Sequence, residues 1–446
     1  MAYRKDAFTR SQFLAALKLL LPATAVRRAV ASNRRATRDR VWPQWLLLWT
    51  LIGWFFQADW ALPAVARWFR PLARRPRVPT DPALCQARQR LGYKPLWWIR
   101  TRLVGWPADP ARDPTAFYRG RRLVGVDGTT FTAADTPANV RTFGRAGNQY
   151  KPSGYPLVRV MALCELGTHA LVQWVARRYR RGERTLLARL ARFVPAGSLL
   201  LGDRNCHGYG LWEEAHRRGF DLLLRVAKGV KLPVDRRLSD GSYLSHIRPR
   251  RSRANRDKPA IAVRVIEYQV RDGSKVTRGR LVSSLLDPAD GPARELAELY
   301  ACRWEQESAF REVKRELAGR DVHLRSQSPR AVLQELDGLL LGHYVVRGMI
   351  LAAARAAGVA PVEVSFAGAL RVLRTRLGSL PGTPAAYARW YADLVAEIAD
   401  LPRRRRRPGR AYPRVRKVVR CRWPVKRPHH RQRKPKPLRN RLRIVR

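Results

Sequence analysis

Between residues 120 and 226 the apolar pattern changes period again and again, and this alternation restricts the fold more than any other feature of the chain. Leu123–Val126 is a short strand-like run that ends in Asp127-Gly128-Thr129-Thr130. Tyr155–Glu165 and His169–Val175 read as two further strands joined by a tight turn at Gly167. Glu183–Phe193 has helical spacing, and Ser198–Gly202 is a fully apolar strand that delivers Asp203. Tyr209–Arg218 is again helical and Phe220–Val226 is a fifth strand. The order strand, strand, strand, helix, strand, helix, strand predicts an α/β domain built on a mixed sheet flanked by helices.

Residues 227–286 then read as an antiparallel insertion: alternating AIAVRVIEYQV, a turn at Asp272-Gly273, and RGRLVSSLL. Residues 8–104 are helical throughout, with apolar residues at helical spacing in Phe13–Leu21, Trp45–Phe56 and Leu62–Phe69. Thr80 or Asp81 caps a helix that ends at Gly92, and a second helix follows from Pro95. That arrangement suits a helix-turn-helix-like DNA reader, with Arg88 and Arg90 as candidate contacts. The expected organisation is an all-α N-terminal domain (1–115), a core with its β-rich insertion (116–355), a helical region (356–402) and a basic tail (403–446).

Charge narrows the function. The chain has 89 Lys and Arg against 34 acidic residues, a net charge of +55, and its tail holds 21 basic residues and no acid. Such a field favours a polyanion, and nucleic acid is the expected partner. The tail should be disordered alone and bind phosphate backbones without sequence preference. A membrane is not expected: Trp45–Phe56, the greasiest run, is about a dozen residues against the roughly 20 a bilayer needs. The opening MAYRKDAFTR lacks the apolar core of a leader. Five scattered cysteines with no CxxC pair fit a reducing cytoplasm, without disulfides or a cysteine-based zinc site. Cys206 and His207 lack a second ligand pair and read as loop residues.

The chemistry gathers around YACRWEQESAFREVKREL, residues 300–317. At a uniform pitch of about 100° per residue, Arg303, Glu307 and Lys314 fall within about 60° of Tyr300, on a stripe shared with Trp304 and Phe310. Glu298, Glu305, Glu312 and Glu316 project to the opposite face, so geometry singles out Glu307. Asp127 and Asp203 each close an expected strand, and this helix returns across the same sheet edge. Three converging carboxylates in a basic protein repel one another unless a hard divalent cation neutralises them, and Mg²⁺ is the expected one. Two such ions can activate water or a 3′-hydroxyl and stabilise a leaving oxygen, with Mn²⁺ as a substitute. Arg303 and Lys314 would hold DNA phosphates beside the acids. Arg225 could point at the site from the fifth strand, and Trp304 could stack on a displaced base.

Tyr300-x2-Arg303-x3-Glu307-x6-Lys314 resembles the Tyr-Arg-Glu-Lys signature of bacterial insertion-sequence transposases of the DDE type. VDGTT at 126–130 and LLLGDRN at 199–205 are similar to that family's two aspartate motifs, and the insertion lies where the family has one. LRSQSPRAVLQELDGLLLGHYVVR (324–347) resembles its next helix, and the first 100 residues more loosely resemble its DNA-binding segment. The resemblance implies a ribonuclease-H-like catalytic core and cut-and-paste DNA transposition. Asp127, Asp203 and Glu307 would hold two Mg²⁺ ions, with Tyr300, Arg303 and Lys314 on the DNA backbone. The expected partners are terminal inverted repeats, target DNA and a second copy in a homodimer, in the bacterial cytoplasm. A non-catalytic DNA-binding relic and a general Mg²⁺-dependent nuclease are the rival readings.

Overall fold

The computed structural model describes residues 42–403 apart from the short stretches 58–60, 70–78, 149–150, 228, 250–254, 256, 273–274, 320–322, 378 and 380–383. The expectations for Phe13–Leu21 and the basic tail lie almost wholly outside these residues.

Five strands make the centre: β1 (Arg121–Ala133), β2 (Lys151–Glu165), β3 (Ala170–Arg178), β4 (Ser198–Gly202) and β5 (Asp221–Arg225). Their order across the sheet is β3-β2-β1-β4-β5, with β2 antiparallel to both β1 and β3, and with β1, β4 and β5 parallel. This is the expected ribonuclease-H-like arrangement. A meander supplies one side, and two helical crossovers, α6 (Glu183–Ala191) and α7 (Tyr209–Arg218), build the other. A short helix α5 (Pro137–Phe143) stands between β1 and β2, capped by Thr136, whose hydroxyl accepts from Asn139 N. The sequence reading missed it, because the roughly two turns of PANVRTF are too short for helical periodicity to register.

The insertion adds to this sheet. Strand β8 (Lys275–Ser283) pairs antiparallel with β5, then β7 (Ile261–Asp272) with β8 and β6 (Tyr243–Ile247) with β7. Buried Arg264 of β7 is paired with Asp240 and donates through Nη1 to Gly291 O at 2.8 Å. Asp240 Oδ2 in turn accepts from Ala293 N at 2.8 Å, at the start of α8 (Ala293–Leu299). The insertion therefore braces the entry to the signature segment.

Alternation along the strands sends side chains to two apolar layers. Val124, Leu200, Leu222 and Leu224 join a large core with the N-terminal helices and α10 (Pro329–Ala356). Leu123, Leu199, Leu201 and Leu223 meet Leu296 and Tyr300 on the opposite face. Helix α10 is the spine of the molecule. It is long and apolar enough to cross a bilayer, but 94% of its apolar window is buried inside the protein. It packs on α1 (Gln44–Gly53) so closely that a Cβ at Gly338 would stand 2.5 Å from Leu51 O. The N-terminal helices α2 (Leu62–Trp68), α3 (Asp81–Leu91) and α4 (Lys94–Arg102), and the C-terminal α11 (Phe366–Leu377) and α12 (Pro384–Ala399), complete the body. The described residues cluster as one compact unit, so the helices from α1 to α4 pack with the core rather than standing apart as a separate body.

Candidate active site

Register brings the two aspartates together. The β1–β4 pairing ends at Val126 opposite Gly202, so the next residue of each strand, Asp127 and Asp203, emerges side by side. Asp127 was expected at the end of a strand, and the structure corrects this. Strand β1 runs six residues further, because Thr129–Thr132 stay paired with β2 after β4 has turned away. Asp127 thus sits mid-strand, with one flank held by Ala162 of β2 and the other opened by the departure of β4. Its Oδ1 accepts from Gly128 N at 2.7 Å. Asp203 begins the loop after β4, where its Oδ1 accepts from Asn205 N at 2.9 Å and from Cys206 Sγ at 3.5 Å.

The signature segment changes pitch twice. After α8 it tightens to a 3₁₀ turn over Tyr300–Arg303, continues as α9 (Trp304–Arg311), and widens to a π-helix over Glu312–Leu317. The uniform helical projection is therefore corrected. Glu307 does face the aspartates, but Glu305 and Glu312 do not form a solvated far face. Glu305 Oε2 lies 2.6 Å from His169 Nε2. Glu312 is buried, bonded to Arg347, 3.0 Å from His169 Nδ1 and 3.1 Å from His343 Nε2.

Arg303 links the three parts. Its Nη2 donates to Glu307 Oε1 at 3.0 Å, its Nη1 stands 3.6 Å from Asp127 Oδ2, and it is largely buried. Burial is the main reason the Asp127 carboxyl is raised to about 6. The Gly128 amide and Arg303 oppose that rise, while Asp203 and Glu307 add to it. The three acids thus share one electrostatic site. Among the described residues no three His, Cys, Asp or Glu side chains stand as a ready-made metal cluster. The three acids nonetheless offer hard carboxylate oxygens, the donor type that Mg²⁺ and Mn²⁺ take.

The remaining expected site residues divide. Tyr300, expected on the DNA backbone, is buried, and its hydroxyl donates to Gly202 O at 3.2 Å. Burial raises its pKa, so it serves as a neutral strut that joins the 3₁₀ turn to the strand carrying Asp203. Arg225, at the end of β5, is exposed and acts electrostatically on Tyr300. Trp304 is 52% exposed, with the Arg303 guanidinium 5.3 Å from its ring. Lys314 lies over Phe131, on the face of β1 that carries Asp127 but about 13 Å along the strand from it. Arg88 is corrected more strongly. It is buried under Trp54 and donates to Ser326 Oγ at 2.9 Å and Ala331 O at 3.1 Å, so it braces α3 against α10. Arg90 is half-buried on the same helix. Cys206 is buried, and His207 accepts at 3.4 Å from Trp212 Nε1, so both are structural.

One functional residue was missed. Gln306, fully buried beside Glu307, donates to Ala162 O at 3.0 Å, and Ala162 is the residue opposite Asp127. A Cβ at Gly125 would stand 2.6 Å from Gln306 Oε1. The glycine two residues before Asp127 was the available signal: it admits the amide that locks the Glu307 helix to the sheet.

The family described as the transposase DDE domain matches residues 118–341, and the insertion element 4 transposase N-terminal family matches residues 11–100. The chain is 28% identical to the transposase InsG for insertion sequence element IS4 of Escherichia coli K12. That match spans 413 residues, 90% of this chain and 91% of the relative. It is 30% identical over 138 residues to the putative transposase InsZ of the same organism, covering 31% of this chain and 46% of the relative. A solved piggyBac transposase synaptic complex with hairpin DNA is similar at TM-score 0.45 and 12% identity, over 92% of this chain and 88% of that one.

Proposed function

Because the chain belongs to the DDE-domain transposases of the insertion element 4 type, and so is a DNA transposase, we propose that Asp127, Asp203 and Glu307 are its catalytic carboxylates. The observation that carries this assignment is the register Val126↔Gly202, which sets Asp127 and Asp203 side by side under the helix of Glu307. These three residues would hold the divalent metal of the family, with Mg²⁺ as the physiological ion and Mn²⁺ as a substitute. A metal held there would supply activation of the attacking hydroxyl and charge neutralisation at the leaving oxygen.

The rest of the site acts through the chain's own groups. Arg303, between Asp127 and Glu307, orients both carboxylates and presents a guanidinium to a backbone phosphate. Tyr300 and Gln306 fix the signature segment to β4 and β2. Lys314, over Phe131 about 13 Å along β1 from Asp127, and Arg225, at the end of β5, are further phosphate contacts, and exposed Trp304 offers a stacking face to an unpaired base. The substrate is the element's terminal inverted repeat. Two copies of the chain pair the ends before strand transfer into target DNA in the bacterial cytoplasm.

The test is cleavage of a duplex carrying the element's end flanked by host sequence, with Mg²⁺ or with EDTA. Wild type should cut at the end boundary only with metal. Asp127→Ala and Glu307→Gln should lose at least about a hundredfold in rate while still binding the end. Metal-independent binding without cutting would identify a relic, and equal cutting of unrelated duplexes a general nuclease.

A further inference from the structure

About 20 Å along β1 from Asp127, by the rise of a strand, the chain returns as His323–Leu324, parallel to Thr132–Ala133. It then opens a cavity of ≈ 480 Å³ between α3 and the start of α10. Three arginines line it and no acid does. Trp54 lies at its floor, with the Arg325 guanidinium 4.7 Å and the Arg88 guanidinium 5.3 Å from the indole. Arg88 is 8% exposed, and its Nε, buried, has no hydrogen-bond partner. Arg330 is exposed at the rim on the first turn of α10, whose N-cap Ser328 makes no side-chain cap and whose first turn holds no acid. The backbone under Arg325 is fixed, because the amides of Arg325 and Ser326 both donate to the Glu335 carboxylate at 2.9 Å.

We infer that this cavity is a second DNA site, one that seats a backbone phosphate of the duplex away from the three carboxylates. The exposed guanidinium of Arg325 beside an indole, with exposed Arg330 at the rim on the first turn of a 28-residue helix, suits a phosphate. The inference rests on the transposase reading above and adds the surface that sets where along the duplex the acids fall. It also gives Arg88 a role, as the buried brace that holds Trp54 and the cavity floor in place.

The experiment uses the full chain and the double variant Arg325→Ala/Arg330→Ala; both side chains are exposed, and an unchanged melting temperature confirms the fold. Affinity for the end duplex should fall ten- to hundredfold at about 0.1 M salt, and the slope of log affinity against log salt by about two. The Arg325→Lys/Arg330→Lys pair should restore most of that slope. Exposed Cys85, at the cavity wall, reports occupancy. Its alkylation by N-ethylmaleimide, read by peptide mass spectrometry, should slow several-fold with the duplex and not with 10 mM inorganic phosphate (about that level). An unchanged salt slope with unprotected Cys85 overturns the inference, and so does protection by inorganic phosphate alone. Metal-dependent cleavage is measured alongside. Cutting with no effect at the cavity defeats this inference only, whereas occupancy of the cavity with no cutting defeats the catalytic assignment.

Discussion

Asp127 is a residue held at a disadvantage. Its carboxyl, raised to about 6 chiefly by burial, binds a proton in the folded state at pH values where the unfolded chain, near 3.8, has released it. Stability therefore falls as pH rises from about 4 to about 6, and the deficit persists above that range. Asp127→Asn removes the charge but keeps the shape. In EDTA at pH 7 it should be more stable than wild type by up to about 3 kcal/mol, from about 1.4 kcal/mol per pH unit. The gap should close as pH falls toward 4. Urea titrations of both proteins across that range decide it, and a gap that widens in acid would contradict the burial argument. Arg303 limits the same deficit, since it stands between Asp127 and Glu307.

At the scale of elements, the strands and helices of the core were legible because each carries its own period, and Ser198–Gly202 and Tyr209–Arg218 have the bounds the pattern predicted. What was not legible is pitch. A helical projection assumes one turn angle, while the signature segment takes three residues per turn at Tyr300–Arg303 and a wider turn from Glu312. Glu307, close to the 3₁₀ turn, keeps its predicted face; Glu312, at the π segment, turns into the core. No local pattern announces this, because the partners that stabilise it, His169, His343 and Arg347, come from the β2–β3 turn and α10. Burial alone would raise the Glu312 pKa, but Arg347 and His169, with hydrogen bonds from His169 and His343, hold it well below the usual range. Its contribution is thus present above its ordinary 4.5 and is lost as pH falls below that value. Glu312→Gln leaves Arg347 buried without its counter-ion and should destabilise the fold by about 3–5 kcal/mol. Chemical denaturation measures this, and a loss below about 1 kcal/mol would show that the network does not anchor the signature segment.

Charge governs the whole molecule. The body and the 403–446 tail are both basic, yet only the body carries the acids and their supports. Removing residues 404–446 should leave the melting temperature of the body unchanged, weaken binding to arbitrary duplex and flatten its salt dependence. A truncated chain that melts lower would show that the tail packs on the fold. The register that unites Asp127 with Asp203 forms within one meander and one crossover, but Glu307 lies 180 residues beyond Asp127. At about 5–20 residues per second of synthesis, roughly ten to forty seconds separate the emergence of the first and last carboxylate. A chain that ends anywhere in that interval carries Asp127 without Glu307, and so lacks the helix that Arg303 and Gln306 tie to the sheet.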